Sequence, residues 1–238
     1  MTAIKGAPHL FLSTTHACSY LPDQTASTLF IDPRYPVTPE LLGDFNRRGF
    51  RRSGDLIYRP HCQGCQACVP VRIPVEAFVP SRAQRRTAAR NDDVVVSVRP
   101  AGFDAEHFAL FRRYQDARHP GGAMANPDPA TYLRFLVSRH SSTAFHEFRI
   151  DGVLAGVAVI DTLPDGLSAV YTFYDPSLGR RGLGTYAIVW QIAETQRRGL
   201  PFLYLGYWVK DSEKMAYKAG FRPLEAYRNG RWSPFDLR

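Results

Sequence analysis

The sequence predicts an α+β fold in which a small, cysteine-containing N-terminal domain precedes a domain built on a mixed sheet. Pro100 to Gly102 mark the boundary, so we expect domains at residues 1–100 and 101–238. In the second domain, the two-residue hairpin signal Asp151-Gly152 is followed by a strand, a glycine-rich turn, a helix and another strand. A hydrophobic content of 45% is sufficient to bury a core.

Turn and capping residues divide the first domain into short elements. Residues 9–20 form a predicted strand that ends in a turn, and residues 27–32 are expected to pair beside it. Thr38 and Pro39 are typical of a helix start, and Gly49 of its end. The remaining predicted elements are an extended segment with a turn at Ser53 and Gly54, a basic helix over residues 81–91 capped by Ser81, and a strand over residues 93–100.

The second domain is predicted to begin with two helices, one capped by Asp104 and one starting at Asp128 and Pro129. The hairpin then joins two strands, and a buried strand over residues 167–175 follows them. This strand must end there because Pro176 cannot continue its ladder of hydrogen bonds. A helix, another buried strand and a last helix complete the predicted order.

The turn after residue 175 contains Gly179, Gly182 and Gly184 ahead of a helix. Backbone N–H groups at a helix N-terminus attract anions, and glycine has no side chain to keep a ligand away. The pattern therefore indicates a seat for a phosphate or another anion. From the residues alone a second interpretation stays open, in which the glycines serve only the close packing of the helix on the strand.

Cys62, Cys65 and Cys68 form a Cys-x-x-Cys-x-x-Cys segment, and Cys18 is the other cysteine of the chain. Four thiols, three of them at tight spacing, are the ligand set of a tetrahedral zinc site or an iron–sulfur cluster. Disulfides are the poorer explanation in a reducing cytoplasm. The sequence therefore predicts a metal site at these four residues, with reduced structural thiols as the alternative.

The net charge of +8 is concentrated in residues 34–90, which hold eleven arginines and four acidic residues. Arginine suits the geometry of phosphate, and a basic surface releases counterions when it binds a polyanion. We therefore expect this segment to contact nucleic acid, with a purely solubilising surface as the alternative. The candidate contacts are Arg47, Arg48, Arg85 and Arg86.

The longest apolar run, VLAGVAVI around Gly156, is well short of the ~20 residues that a membrane-spanning helix needs. The first twenty residues contain one lysine and a short apolar patch, without the long apolar core of a signal peptide. We therefore expect a cytoplasmic protein without a membrane partner.

The order of elements over residues 167–221 resembles the second half of a GNAT-type acyltransferase, although Gly179 stands where that motif has Arg or Gln. This departure argues against coenzyme A as the donor.

Both halves of the chain are similar to the arginyl-tRNA-protein transferase family, and within it to the shorter bacterial aspartate/glutamate leucyltransferases. The resembling segments are HACSYLPDQTA, YRPHCQGCQACVPVRI, SRAQRR, YTFYDP with LGTYAI, and YLGYWVKDSEKMAYKAGFRP.

This resemblance implies a GNAT-like second domain that transfers leucine from leucyl-tRNA to the α-amino group of proteins beginning with Asp or Glu, and so marks them for degradation under the N-end rule. It implies no cofactor for the chemistry. Eukaryotic arginyl members carry an early Cys-x-x-Cys and are reported to hold iron–sulfur clusters, whereas Leu21 replaces the second of those cysteines here. The alternatives are arginyl transfer by the same chemistry, a coenzyme A-dependent N-acetyltransferase, and a non-enzymatic, metal-dependent RNA-binding module.

Transfer from an activated ester to an amine needs alignment, a proton acceptor and stabilisation of an oxyanion, and no nucleophilic side chain. Asp175 is the expected residue to hold or deprotonate the amine. Tyr207 and Tyr217 are expected to guide the proton, with core packing as the alternative for each.

The remaining candidates contact the substrates. Backbone N–H groups beyond Tyr171 and from Gly182 to Gly184 are the expected oxyanion donors. Three apolar residues are expected to line the leucine pocket. Three lysines at four-residue intervals would share a helical face if the helix begins this early, with one binding the acceptor carboxylate and another a tRNA phosphate. They are Phe173, Leu183 and Trp208, and Lys210, Lys214 and Lys218.

Overall fold

The computed structural model describes residues 7–122 and 124–236. Its strands are β1 (Leu10–Leu12), β2 (His16–Ala17), β3 (Thr25–Ala26), β4 (Thr28–Ile31), β5 (Arg51–Ser53), β6 (Leu56–Pro60), β7 (Val69–Pro74), β8 (Val95–Pro100), β9 (Ser142–Ile150), β10 (Val153–Leu163), β11 (Gly166–Tyr174), β12 (Phe202–Trp208), β13 (Glu225–Arg228) and β14 (Arg231–Pro234). Its helices are α1 (Pro39–Arg47), α2 (Arg82–Ala89), α3 (Ala105–Arg118), α4 (Pro129–Leu136), α5 (Leu183–Arg197) and α6 (Glu213–Ala216). Among the described residues, no helix has the length and apolar character to cross a lipid bilayer.

Eight strands form one mixed sheet in the order β14-β13-β7-β12-β11-β10-β9-β8. Neighbouring strands are antiparallel except β11 and β12, which run parallel. A smaller sheet has the order β1-β4-β6-β5, and β2 pairs with β3. The α+β class with a mixed sheet is therefore confirmed.

The large sheet takes strands from both halves of the chain. β7 lies between β12 and β13, and β8 forms the edge beside β9. The boundary expected near residue 100 therefore follows the last strand that the N-terminal half contributes to this sheet. Both halves share one hydrogen-bonded layer, and the small sheet with α1 packs onto it.

Local signals explain the ends of many elements. Thr38 caps α1, and Ser81 forms a capping box with Gln84 at the start of α2. Asp151 and Gly152 adopt positive φ angles of 49° and 80°, which the tight turn between β9 and β10 requires. The strand predicted over residues 9–20 is interrupted, because β1 pairs with β4 whereas β2 turns back onto β3.

Helices and the small sheet bury the two faces of the large sheet. On one face α5 covers β11 and β12, α2 packs against α5, and the core surrounds Ile160. On the other face α3 and α4 cover β10 and β11 around Phe111. Beside them, α1 and the small sheet enclose a third core around Leu42. The central strands β10, β11 and β12 are therefore covered on both faces.

A buried ion pair ties the small sheet to the large one. Arg52 on β5 donates from Nε and Nη2 to the two carboxylate oxygens of Asp161 on β10, at 2.5 and 2.7 Å. Both side chains are at most 3% exposed. The hydroxyls of Thr143 and Ser141 also donate to this carboxylate, at 2.7 and 3.0 Å. The bidentate geometry fixes the position of β5 over the sheet.

Replacing one partner of this pair should destabilise the fold, because the other charge stays buried without compensation. We expect Asp161→Leu to lower the free energy of unfolding by about 3–5 kcal/mol, measured by urea denaturation. The double variant Arg52→Leu/Asp161→Leu should lose less. As a control, Asp93→Asn breaks the more exposed pair with Arg181 and should cost about 1 kcal/mol or less. Equal losses for Asp161→Leu and Asp93→Asn would contradict the role of the buried pair.

Candidate active site between two diverging strands

The parallel pairing of β11 and β12 ends early, at Ser168 and Tyr204. Beyond this point β11 stays paired with β10 as far as Tyr174, and β12 stays paired with β7 as far as Trp208. The two strands therefore diverge, and we call the space between their carboxyl ends the interstrand opening. Ligands of open sheets bind at the carboxyl ends of parallel strands where neighbouring connections separate.

A bulge at Gly206 turns β12 away from β11. The register between β12 and β7 shifts between Tyr204 and Gly206, and Gly206 has a φ of 78°. A Cβ atom at this position would lie 3.2 Å from Nε of Arg51. Glycine is therefore required twice, for the left-handed backbone and for the space that the guanidinium occupies.

Arg51, on β5, fills the base of the interstrand opening. Its Nη1 donates to Oγ of Ser168 at 2.9 Å, and its Nη2 donates to the carbonyl oxygen of Ala169 at 2.7 Å. Burial lowers the pKa of this guanidinium, although the nearby phenols of Tyr58 and Tyr207 oppose the effect. Within the described part of the chain its hydrogen-bond partners are neutral oxygens, so a positive charge remains at the base of the opening.

Lys218 reaches the same region from the 3₁₀ segment that follows α6. Its side chain is 6% exposed, and Nζ donates to the carbonyl oxygen of Tyr207 at 2.5 Å, with Sδ of Met215 at 3.2 Å. Burial and the charge of Arg51 lower the pKa of this amine to about 7, although the Cys68 thiol opposes them. A large fraction of Lys218 is therefore neutral near neutral pH.

Three tyrosines form an aromatic wall at the end of β11. The rings of Tyr114 and Tyr174 pack edge to face with centroids 5.1 Å apart, and the Tyr174 hydroxyl accepts a hydrogen bond from Arg118 at 2.8 Å. Tyr217 lies near both rings and is about half exposed. Gly184 allows α5 to approach this wall, since a Cβ there would lie 3.1 Å from the Tyr174 ring.

The glycine-rich turn forms a 3₁₀ segment, Pro176–Arg181, instead of an open loop. Gly182 then starts α5 with a φ of 68°, and among the described residues no side chain caps the first turn of α5. Its first N–H groups therefore point to a position where an anion is favourable. Close packing does not require glycine at position 179, since a Cβ there would meet no atom of the described residues within 4 Å.

Asp175 caps the 3₁₀ segment. Its carboxylate accepts hydrogen bonds from the backbone N–H and the hydroxyl of Ser177 at 2.9 and 2.6 Å, and Arg113 lies 3.6 Å away. Burial acts to raise the pKa of this carboxyl, but the bonds from Ser177 and the charge of Arg113 hold the pKa below its ordinary value. Asp175 is therefore an ionised carboxylate already occupied by structural hydrogen bonds.

The three apolar candidates for a leucine pocket are buried among the core side chains, and their role in leucine binding stays a prediction. Phe173, Leu183 and Trp208 are 0%, 3% and 6% exposed. Sequence cannot separate a pocket from a core, because both require the same large apolar side chains. Tyr171 is partly exposed instead, with its ring 5.1 Å from that of Phe135.

The hydroxyl of Tyr207 is satisfied inside the protein. It donates to the carbonyl oxygen of Gly49 at 3.0 Å, and the carbonyl oxygen of Tyr58 is 3.3 Å away. Burial raises the pKa of Tyr207 well above its ordinary value. The core-packing interpretation therefore accounts for this side chain, whereas the backbone of Tyr207 contributes to the site by holding Lys218.

The three lysines do not share a helical face, because the helix begins after Lys210. β12 ends at Trp208, residues 210 and 211 form a turn, and α6 spans Glu213–Ala216 alone. Lys210 and Lys214 are exposed, whereas Lys218 is buried. Four-residue spacing brings side chains together only when the helix extends through all of them.

The four candidate arginines lie on two separate surfaces. Arg47 at the end of α1 pairs with Asp44 and with Asp165, the latter at 3.4 Å, and Arg48 follows it as an exposed residue. Arg85 and Arg86 are exposed on α2, which packs against α5 over the opposite face of the large sheet. The two pairs therefore lie on different sides of the large sheet, and their contact with nucleic acid stays a prediction.

The four cysteines are partly buried free thiols near one another. Burial, followed by the nearby thiols of Cys18, Cys62 and Cys65, raises the pKa of Cys68 to about 12. Across residues 7–122 and 124–236, however, no three His, Cys, Asp or Glu side chains are arranged to hold a metal ion. In this arrangement the thiols do not fit a zinc site or a cluster, and metal binding stays a prediction.

Two family models match the chain. The model described as the N terminus of arginine-tRNA-protein transferase matches residues 16–86, and the model described as its C terminus matches residues 106–228. The chain belongs to the arginine-tRNA-protein transferase family. The resemblance drawn from sequence segments is therefore confirmed, and the protein is an enzyme that transfers an aminoacyl group.

Curated relatives and a solved structure agree with this family. A Pseudomonas fluorescens protein is 51% identical over 222 residues, covering 93% of this chain and 94% of the relative. A Pseudomonas entomophila protein is 52% identical over 223 residues with the same coverage, and both are named aspartate/glutamate leucyltransferase. A crystallised C-terminal domain assigned to a lysylphosphatidylglycerol synthetase from Agrobacterium fabrum has a TM-score of 0.50 and 15% identity, covering 84% of this chain and 64% of that one. It shares the fold.

Sequence reasoning missed Arg51 and Gly206. A glycine inside the apolar segment YLGYW is a signal for a bulge, so the bulge at Gly206 could have been predicted from the sequence. The role of Arg51 has no local signal, because its partner Ser168 is 117 residues away in the sequence. The charge at the base of the opening therefore becomes visible only in the folded chain.

Gly206→Ala should slow aminoacyl transfer by about tenfold or more, because the new methyl group displaces the Arg51 guanidinium from both strands. We expect steady-state kinetics to show this loss while thermal denaturation shows a folded protein. Gly220→Ala is the matched control, since a Cβ there meets nothing within 4 Å. A wild-type rate for Gly206→Ala would remove Arg51 from the reaction.

Proposed function

We propose that this enzyme acts in the cytoplasm and transfers leucine from leucyl-tRNA to the α-amino group of proteins that begin with Asp or Glu, marking them for degradation. The observation that carries this proposal is the 51–52% identity over 93% of the chain to relatives named for that activity. The physical basis is Arg51, a positive charge with neutral partners at the base of the interstrand opening.

The reaction forms an amide and breaks an ester. The acceptor nitrogen attacks the leucyl carbonyl carbon, the C–N bond forms, and the bond from that carbon to the ribose oxygen breaks. The proton lost by the nitrogen must reach the ribose oxygen. Neutral Lys218 is the residue best suited to carry it, because a base with a pKa of about 7 accepts and returns a proton near neutral pH. Asp175, with its lowered pKa, is the weaker base.

The acidic side chain of the acceptor meets Arg51 in this proposal. When Lys218 is neutral, Arg51 keeps the positive charge at the base of the opening, and a carboxylate there forms a charge-assisted hydrogen bond. The half-exposed ring of Tyr217 and the partly exposed ring of Tyr171 offer apolar contact for leucine. The uncapped N-terminus of α5 after Gly182 is suited to a phosphate of the donor.

The activity is tested with radiolabelled leucyl-tRNA and peptides that differ in their first residue. We expect transfer to peptides beginning with Asp or Glu, and much less to peptides beginning with Asn or Gln, because the amide carries no charge. Arginyl-tRNA should be a poor donor. Modification of the same peptides by acetyl-CoA without any leucyl transfer would overturn the proposal.

Arg51→Gln should reduce the preference for Asp over Asn by about tenfold or more, the value of a hydrogen bond to a charged group. The ratio of kcat/KM for the two peptides is the readout, because a general loss of stability lowers both values equally. Arg59→Gln, a nearby arginine of the small sheet, serves as the control and should keep the wild-type ratio. An unchanged ratio in Arg51→Gln would assign acceptor selection to another residue.

The pH dependence tests Lys218. In the wild type kcat should rise as pH increases through about 7, because Lys218 must be neutral to accept a proton. Lys218→Met should be slower and lose this step, and Lys214→Met, at an exposed position, should retain it.

Stability provides an independent measurement of the same pKa. The unfolded chain keeps Lys218 protonated up to about pH 10.4, so between that pH and about 7 it binds more protons than the folded chain. Wild-type stability should therefore fall as pH decreases across this window, and Lys218→Met should flatten the fall. Superimposable pH profiles of kcat and stability for wild type and Lys218→Met would contradict the assignment.

A further inference from the structure

A second concave region lies behind Tyr207, outside the interstrand opening. It is a cleft of about 470 Å³ formed by the end of α1, the end of β6, the cysteine segment, the start of β7 and the turn between β13 and β14. We call it the arginine cleft. Its lining contains Arg48, Arg59, Arg228 and His61, and it contains no Asp or Glu. A net positive charge of three is thus focused in one cavity.

Two arginines of this cleft, Arg59 and Arg228, lie over aromatic rings. The guanidinium of Arg59 lies 4.9 Å from the ring centroid of Phe50, and that of Arg228 lies 5.8 Å from the ring of Phe235. Among the described residues, no carboxylate forms a salt bridge with Arg48, Arg59 or Arg228. Stacking through the guanidinium face leaves the N–H edge for an anion.

The uncharged part of the lining suits a nucleotide base. Tyr227 is partly exposed to the cleft, with its ring 5.3 Å from that of Trp232, which limits its rotation. The amides of Gln66 and Asn229 also line the cavity and offer hydrogen-bond donors and acceptors. Cations along a backbone combined with an aromatic ring for stacking are the usual elements of a single-stranded nucleic acid site.

The charge balance favours RNA over the acceptor protein. A protein beginning with Asp or Glu brings one positive α-ammonium group together with its carboxylate, so its net charge at the terminus is close to zero. A cavity with three arginines and no acidic side chain in its described lining repels the ammonium group and attracts a ligand with successive negative charges. A phosphate backbone has this property, and arginine matches its geometry.

The position of the cleft relates it to the interstrand opening. Tyr207 lines the cleft, and its backbone carbonyl oxygen accepts the hydrogen bond from Lys218 at 2.5 Å. Cys68 lines the same cleft and lies near enough to Lys218 to affect its pKa. Tyr207 of β12 therefore contacts both the cleft and the proton acceptor, which makes the cleft and the interstrand opening neighbours.

We propose that the arginine cleft binds the unpaired 3′ nucleotides of the aminoacyl-tRNA, with phosphates on Arg48, Arg59 and Arg228 and a base against Tyr227. This assignment rests on the proposed function in that it takes tRNA as the donor. It places the sequence-independent part of donor binding on the small sheet and the β13–β14 turn, and the reaction between β11 and β12.

Binding of deacylated tRNA measures this site without requiring transfer. Fluorescence anisotropy should show that the wild type binds intact leucine tRNA more tightly than the same tRNA trimmed of its unpaired 3′ nucleotides. Arg59→Gln/Arg228→Gln should bind both forms alike, with a dissociation constant for the intact tRNA raised about tenfold. The slope of log affinity against log salt should fall by about 1.4, since each lost phosphate contact to a single strand contributes about 0.7.

Arg231→Gln is the matched control, because Arg231 faces Arg228 across the β13–β14 pair and does not line the cleft. It should bind as the wild type does. Tyr227→Leu should weaken binding of the intact tRNA, and Tyr227→Phe, which keeps the ring, should not. Thermal denaturation establishes that each variant is folded before binding is measured.

Three results would overturn the proposal. They are an unchanged affinity and salt slope in the double variant, equal wild-type affinity for intact and trimmed tRNA, and a double variant that raises KM for the acceptor peptide while KM for tRNA stays constant. The last result would make the cleft an acceptor site. A wild-type protein that binds the 3′ end selectively and transfers no leucine would instead contradict the proposed function and retain this site.

Discussion

Two consecutive arginines on β5 dock the small sheet against the large one, and the site depends on this contact. Arg52 binds Asp161 and Arg51 binds Ser168, and these two partners stand opposite each other on β10 and β11. The carboxylate of Asp161 neutralises Arg52, whereas the oxygens that Arg51 contacts are neutral. The contact that stabilises the fold therefore places two positive charges on the large sheet. The charge of Arg52 is compensated by a carboxylate, whereas the charge of Arg51 is not, and Arg51 lies where β11 and β12 separate. A ligand carboxylate at that position forms a hydrogen bond with Arg51 and also removes the energetic cost of its buried, uncompensated positive charge.

Local sequence signals were sufficient for elements whose ends are determined by neighbouring residues. Capping residues located α1, α2, α3 and α4, and the Asp151-Gly152 pair located the hairpin between β9 and β10. The position of β7 between β12 and β13 left no such signal, because its partners lie more than one hundred residues away. Parallel pairing that stops after three positions is also invisible, since the residues beyond it, such as Val170, are as β-prone as those within it.

The candidate site was predictable in location and much less so in its members. The strand and glycine turn pointed to the carboxyl end of β11, where the structure has the interstrand opening, and Lys218 and Tyr217 were among the candidates. Phe173 and Trp208 were assigned to a pocket and lie in the core, because apolar character alone gives no information about burial. Lys218 was chosen for its charge, yet its buried position gives it the opposite property, a side chain that loses its proton near pH 7. Burial depends on the folded chain, and here it lowers the pKa of the lysine, which the residue type alone does not reveal.

The state of the cysteines and the proton acceptor constrain each other. Burial and three neighbouring thiols raise the pKa of Cys68 to about 12, so its thiol is uncharged near neutral pH. An ionised Cys68 would place a negative charge near Lys218 and hold the lysine protonated, since opposite charges stabilise each other at short range. Lys218 accepts a proton only while it is neutral. An uncharged Cys68 is therefore the state compatible with Lys218 as the base. Cys68, which directly precedes β7, and Lys218, which is held by the backbone of β12, are thus linked through the protonation state of the thiol.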